Sequence, residues 1–314
     1  MLGCYIAEIV RKEFEVVVAD IERPRVDGVK YTNLDCLKPF SLSDDFEVII
    51  HLAALVGGIQ FFTKHPVENI RDNPRMTTNV FDAAIKSKVS QVIYASSSVV
   101  YQYQKEFPST EESVDHFPPP SSAYGLSKLI GERICKIYHE QFGVNYTILR
   151  PFNLYGPIEA PDPEYAHVIP ELIRKVIAGQ YPVEIYGSGE QTRTFTHGRD
   201  AARAYLSCIT DKNALNETFN VAGNKEIKIY DVLKLIWKIT GHSKELKVKR
   251  LPPFPHDVLR RFPSNKKIKE KLGWEPVIPF EEGLIETIKA VSGQIYNRDT
   301  TLTQDSNNED CRDN

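Results

Sequence analysis

Nowhere does the chain carry an apolar run near the roughly 20 residues that cross a bilayer, so no spanning helix and no membrane partner is expected. The basic-then-apolar order of a signal peptide is missing from the N-terminus. The five cysteines (Cys4, Cys36, Cys135, Cys208, Cys311) form no CxxC pair, which excludes a disulfide framework and points to reduced thiols in a cytoplasmic protein. Eight histidines make no HxxxH or HExxH, and no metal site is expected. An excess of one charge is lacking too. The 39 basic and 42 acidic residues leave −3, which gives nucleic acid no reason to bind. Internal repeats are absent.

What is present is an ordinary globular composition, 41% hydrophobic and 26% charged over 314 residues, with ample room for a core. Short apolar runs alternate with helical patterns. EVVVAD (15–20), VIIHLAA (48–54), QVIYASSS (91–98) and YTILRPF (146–152) are rich in β-branched residues without strict alternation. Such runs suit strands buried on both faces of a parallel sheet. MTTNVFDAAIKSK (76–88) and SKLIGERICKIYHEQFG (127–143) repeat apolar residues at helical spacing, and Gly143 is a candidate C-cap. Strand and helix in alternation predict a doubly wound α/β domain.

Beyond Asn153 the texture changes to prolines and short segments. Helices are expected at 168–179 and 230–241, with VEIYGSGEQTRTF (183–195) between them. Residues 244–271 hold ten Lys/Arg against three acids, most simply a solvated face. The last residues, 292–314, are polar and aperiodic and are predicted to be a disordered tail.

The most informative stretch is Tyr124-Gly-Leu-Ser-Lys128. A Tyr and a Lys four apart share one helix face. A phenol with pKa near 10 is a poor base at neutral pH, and a nearby ammonium lowers that pKa. Upstream, a strand-like run ends in Ser96-Ser97-Ser98. Ligands of parallel sheets bind beyond the C-terminal ends of the strands, where a serine can bond a substrate hydroxyl.

On these residues the chain resembles the extended short-chain dehydrogenase/reductase superfamily, in its NAD-dependent nucleotide-sugar epimerase/dehydratase branch, over about residues 3–290. HLAA (51–54), YASSSVVY (94–101), RPFNLYGP (150–157), GSGEQTRTFTHGRDAARA (187–204) and LGWEP (272–276) match its motifs in order. The resemblance implies a Rossmann-type doubly wound parallel sheet, here without its first strand, and a smaller α/β C-terminal substrate domain. It divides the chain into 1–153 plus about 192–221 for NAD, and 154–191 plus 222–290 for the nucleotide-diphosphate sugar. It implies Ser97, Tyr124 and Lys128 as catalytic residues. For NAD it implies Gly3, Asp20, Asp35, Cys36, Leu52, Ala53, Ala54, Asn73 and Phe152, with Tyr124 and Lys128. For the nucleotide-sugar it implies Ser97, Asn153, Tyr186, Arg193 and Arg261. Asp20 favours NAD over NADP because a carboxylate repels a 2′-phosphate, while Arg23 nearby leaves NADP open. A homodimer through 68–88 and 127–143 is expected by analogy.

Within the family the position after Ser97 separates reactions. Dehydratases place Asp-Glu there, and C3/C5 epimerases such as the GDP-fucose synthases, which AALVGGIQ (53–60) resembles, place a cysteine where Val99 stands. What remains is C4 epimerisation. Gly3 falls on the third glycine of the family's G-x-x-G-x-x-G turn. Two expectations stay open: a truncated enzyme whose intact form carries the missing strand and glycines, or a chain that binds NAD weakly and does not turn over.

Overall fold

Alternating contacts of one buried strand organise the protein. The structure is a computed structural model and describes residues 1–43, 45–158, 167–254 and 257–293. Its first half runs α1 (Leu2–Val10), β1 (Val17–Asp20), β2 (Lys30–Asn33), β3 (Val48–His51), α2 (Ile59–Lys64), α3 (Pro66–Lys86), β4 (Gln91–Ala95), α4 (Ala123–Phe142) and β5 (Asn145–Pro151). All five residues of β4 are buried. Val92 and Tyr94 pack with Val80 and Phe81 of α3 and Cys135 of α4. Ile93 and Ala95 face the other way, onto Tyr5 of α1 and Ala201 and Tyr205. This period of two, with helices on both faces, makes the sheet doubly wound.

The second half runs β6 (Leu154–Tyr155), α5 (Val168–Ile177), β7 (Val183–Tyr186), β8 (Thr192–Thr194), β9 (Thr196–His197) and α6 (Gly198–Thr210). Then come β10 (Glu217–Val221), β11 (Glu226–Lys228), α7 (Ile229–Ile239), β12 (Val248–Leu251), α8 (Lys266–Leu272) and a helix α9 over 280–293. Strand β10 returns to the first half, pairing parallel with β5 from Glu217↔Thr147 to Val221↔Pro151. The main sheet has the order β10-β5-β4-β3. A separate buried cluster joins Ile173 and Val176 of α5, Val183 of β7, Leu233 and Ile236 of α7, and Leu284.

Strands β1 and β2 form their own parallel pair. Among the described residues no strand bridges β1 and β3. EVVVAD and VIIHLAA were expected to be buried on both faces. Instead Val17, Val18, Val48, Ile49 and Ile50 are only half-buried, and Asp20 is exposed. Unbridged edges leave their backbone and flanking side chains open to water.

Helix α1 is held from the other side. Tyr5 fits a cradle where Cβ atoms on Gly156 and Gly198 would come within 2.4 Å and 2.2 Å of it. Its hydroxyl accepts the Ile158 amide at 2.9 Å.

The largest shift of a helix boundary is in α3, while α4 begins at Ala123 rather than at 127. The pattern predicts a helix over 76–88, but α3 begins at Pro66 and carries Pro74 inside it. An interior proline costs roughly 3 kcal/mol of helix stability. Packing of α3 along α4 offsets this. Gly143 caps α4 in the left-handed region, φ 74°, as its sequence position predicts. The basic stretch is largely paired at the surface, with Lys249–Glu184, Arg260–Glu226 and Lys267–Glu217 ion pairs. The tail expected over 292–314 lies outside the described residues from 294 onward, and residues 292 and 293 are helical. Among the described residues no helix is long and apolar enough to cross a membrane. No three His, Cys, Asp or Glu side chains converge there as metal ligands.

Candidate active site

Beyond Ala95 the chain leaves β4 through Ser96, Ser97 and Ser98 and turns into a short 3-10 helix, Ser98–Tyr101. Ser97 caps it, its hydroxyl accepting the Val99 amide at 3.4 Å. Helix α4 starts alongside. Ser122 is its N-cap and accepts the Gly125 amide at 3.3 Å. A Cβ on Gly125 would sit 2.8 Å from Pro120, so only glycine lets this first turn approach so closely. That approach places the Tyr124 ring and the Ser97 side chain together on the cleft wall, close enough for Ser97 to favour the ionised phenol.

Lys128 lies one turn on, Nζ donating to the Ala95 carbonyl at 2.8 Å and standing 5.8 Å from the centre of the Tyr124 ring. Burial drives both groups toward their neutral forms. It pushes Lys128 down to about 8, against Cys135 and Glu132. It pushes Tyr124 up to about 12, against the neighbouring Ser97 hydroxyl. The expected lowering of Tyr124 by Lys128 is therefore corrected. The ammonium is turned to Ala95, and desolvation of the phenol wins.

A polar brace that the sequence did not reveal lies behind these residues. Glu132, one turn past Lys128, forms a two-pronged ion pair with Arg150 of β5, at 2.8 Å and 2.7 Å. Ser96 donates to the same carboxylate at 2.5 Å. Arg150 also donates to the Tyr101 hydroxyl at 2.6 Å and to the Glu111 carbonyl at 2.7 Å. Tyr101 passes its proton bond to Asn220 of β10, whose amide donates to Glu111. Burial opposes the Arg150 charge, but Glu132 outweighs it and raises its pKa. The network ties α4, β5, β10 and the serine turn into one unit. Arg150 opens the motif RPFNLYGP and Tyr101 closes YASSSVVY, but nothing in the sequence joined either to Glu132.

One cleft, of about 2550 Å³, is lined by Ser97, Tyr124 and Lys128 together with Gly3, Asp20, Asp35, Cys36, Leu52, Ala53, Ala54, Asn153, Tyr186, Arg193 and Arg261. It exceeds the 300–1,000 Å³ usual for one small-molecule site because it runs on into the space between β1 and β3. Two sequence-predicted residues are not on its wall. Phe152 is fully buried and stacked on Tyr101. Asn73 is buried, its Oδ1 accepting the Leu55 amide at 2.7 Å and its Nδ2 donating to Ser127 at 3.1 Å. It thereby pins the 52–58 loop to α4.

At the α1 end, no side chain caps the helix and no acid stands in its first turn. Its leading amides open on the cleft beside Leu52, 3.4 Å from a Cβ at Gly3. Such a terminus suits an anion. Asp20 ends β1, accepting only the Glu22 amide at its side chain, 3.1 Å. The Cys36 thiol is pushed up to about 11 by burial, with Asp35 and Asp20 adding to it. These residues fit a dinucleotide: amides for a pyrophosphate and a carboxylate for ribose hydroxyls.

At the other end Arg193, buried on β8, pairs with Asp257. Arg261 has a buried Nε without a partner, and burial and Arg193 push it down to about 9. Asp257 pairs with Arg193, and Arg261 beside it leaves a surplus positive charge at the cleft. Asn153 holds a left-handed backbone, φ 35°, and donates to the Thr194 carbonyl at 3.0 Å. Tyr186 lies against Phe254, ring centres 3.9 Å apart. Phe62, unmarked in the sequence, stacks on Tyr124.

Comparison with known proteins follows the same lines. Residues 1–222 match the family model described as NAD dependent epimerase/dehydratase family. A UDP-N-acetyl-alpha-D-glucosaminuronate decarboxylase of Bacillus cytotoxicus is 34% identical over 264 residues, 82% of this chain and 80% of that one. A GDP-L-fucose synthase of Sinorhizobium fredii is 28% identical over 291 residues, covering 91% and 90%. The UDP-glucose 4-epimerase of Thermotoga maritima, solved with UDP-glucose, superposes with a TM-score of 0.82 at 26% identity, over 94% of this chain and 96% of that one.

Proposed function

We propose, from the premise that this chain belongs to the NAD dependent epimerase/dehydratase family, that it inverts C4 of a UDP-hexose. The observation that carries the reading is the Ser97–Tyr124–Lys128 cluster, followed on the cleft wall by Val99. Val99 is neither acid nor base, which leaves dehydration and C3/C5 epimerisation without their extra catalyst. NAD, held along Gly3, Asp20 and Leu52–Ala54, would supply a hydride acceptor and donor for C4 and a positively charged ring.

Tyr124 removes the proton of the C4 hydroxyl and later gives it back. Ser97 bonds that hydroxyl and orients it. Lys128, its Nζ on the Ala95 carbonyl at the cleft wall, would bond a ribose hydroxyl of the cofactor. Gly3, Asp20, Asp35, Cys36, Leu52, Ala53 and Ala54 hold the cofactor, with Asn73 and Phe152 supporting from behind. Arg193 and Arg261 take the diphosphate of the nucleotide-sugar, beside Asn153 and Tyr186. In this proposal residues 1–153 with about 192–221 serve the cofactor, and 154–191 with 222–290 serve the substrate. A cytoplasmic homodimer through α3 and α4 belongs to it as well, supported by exposed Val67, Ile137 and Phe142 on those helices.

Proton NMR of UDP-glucose with the chain and NAD tests it, the expected product being UDP-galactose. Neither turnover nor binding of any UDP- or GDP-hexose would sink it. A reductase or decarboxylase chemistry, as in the relatives, is read by NAD(P)H consumption or CO₂ release instead. A second reading, a chain that binds NAD weakly and does not turn over, is favoured by the incomplete burial of β1 and β3 beside the cofactor residues. Calorimetry with millimolar NAD separates the two.

A further inference from the structure

The ring of Phe62 lies flat on that of Tyr124, centres 4.2 Å apart and planes 17° from parallel. Three observations show that this contact is not ordinary core packing. Phe62 is half-buried and lines the cleft. It belongs to none of the buried apolar clusters. Its partner is the phenol that shares the cleft wall with Ser97.

The placement is also specified from beneath. The Leu55 amide is held by Asn73 at 2.7 Å, so the 52–58 loop is fixed where it enters α2. A Cβ on Gly57 would stand 2.7 Å from the Phe61 Cβ, so any side chain there would displace the helix. Phe61 is buried, 4.8 Å ring to ring from His65 and edge-on to Phe62 at 6.1 Å. Phe61 anchors α2, and the next residue is thereby aimed at Tyr124.

We propose that Phe62 is a positioning residue for Tyr124: its ring fixes the plane of the phenol toward Ser97 and keeps water off that face. The proposal rests on the reading of Tyr124 as the proton-transferring group. A ring free to turn about its side-chain torsions loses the alignment that proton transfer needs, and misplacement by an ångström costs about a hundredfold in rate. Water on the open face also lowers the cost of ionising the phenol, so the free tyrosine becomes more reactive toward reagents while the aligned reaction slows.

The experiment is nitration of the chain by tetranitromethane, with initial rates read at each tyrosine by peptide mass spectrometry. The Tyr124 rate should rise about tenfold in Phe62→Ala, the gain in accessible phenolate when water replaces the ring. Tyr94 and Tyr101, buried in the core, should stay slow and report an intact fold. Phe62→Tyr keeps a flat ring and should match the wild type. A Tyr124 rate within twofold of the wild type in Phe62→Ala overturns the proposal. If Tyr94 or Tyr101 also speeds up, Phe62→Val, which removes the ring and opens the phenol face with a smaller loss of volume, is judged by the same criterion.

With UDP-hexose as substrate, Phe62→Ala should lower kcat by tenfold or more with KM little changed, and Phe62→Tyr should restore it. An effect on KM alone overturns it. A wild type without turnover refutes the proposed function, while the nitration rates still decide the role of Phe62.

Discussion

The two ends of the cleft are built to different standards. The end holding Ser97, Tyr124 and Lys128 rests on the four-stranded sheet and on a brace in which Arg150 and Glu132 are each about 3% exposed. The end holding Asp20 rests on a two-stranded sheet whose residues are at best half-buried. The difference teaches that the groups proposed to react are positioned by the fold without help from a ligand. The end proposed for the ribose has few fixed neighbours, so a dinucleotide bound there would supply order as well as receive it. Chemistry and cofactor affinity should then be separable by mutation.

The largest effect breaks the chemical end alone. Tyr124→Phe should lower turnover by about 10³-fold or more, within the range of acid–base catalysis, and leave NAD affinity by calorimetry unchanged. Next, Glu132→Gln should cost about 3–5 kcal/mol of stability in urea unfolding, since it strands the buried Arg150 charge. At the other end, Asp20→Ala should weaken NAD binding by about tenfold to a hundredfold, the worth of hydrogen bonds to a charged group. It should leave the urea midpoint unmoved and narrow the preference for NAD over NADP. An Asp20 variant that unfolds more easily than the Glu132 variant would erase the distinction between the ends.

The smallest effect sharpens it through pH. Lys128 sits at about 8 in the folded chain, below its ordinary 10.5. Between those values the unfolded chain holds a proton that the folded one has released, so stability rises with pH across that window. Urea midpoints of the wild type should therefore gain on those of Lys128→Met from pH 8 toward 10.5, and be at their lowest relative value below pH 8.

Much of this was legible because it is short-range. Tyr124 and Lys128 are four apart on one helix, and the serines directly follow a run of five buried residues. Strands β3, β4 and β5 were marked by β-branched runs. Strand β2 was not, because KYTN is polar and lies at an exposed edge. Helix α3 was half hidden by Pro74, which reads as a stop in isolation. The brace could not be read at all. Its partners lie far apart, as with Glu111 and Asn220, 109 residues from each other, and no periodicity links them. Asn73 and Phe152 carry the family's pattern, yet from a motif alone a residue behind the wall looks the same as one on it.

The cradle around Tyr5 has a mechanical meaning. It bolts α1 to the start of α6 and to the loop at Ile158, not to β1. The six-residue stretch from Arg11 to Val16 is then the only covalent tether between that bolt and β1. The head of α1 therefore takes its place on the cleft wall, beside Leu52, from α6 and the Ile158 loop rather than from β1.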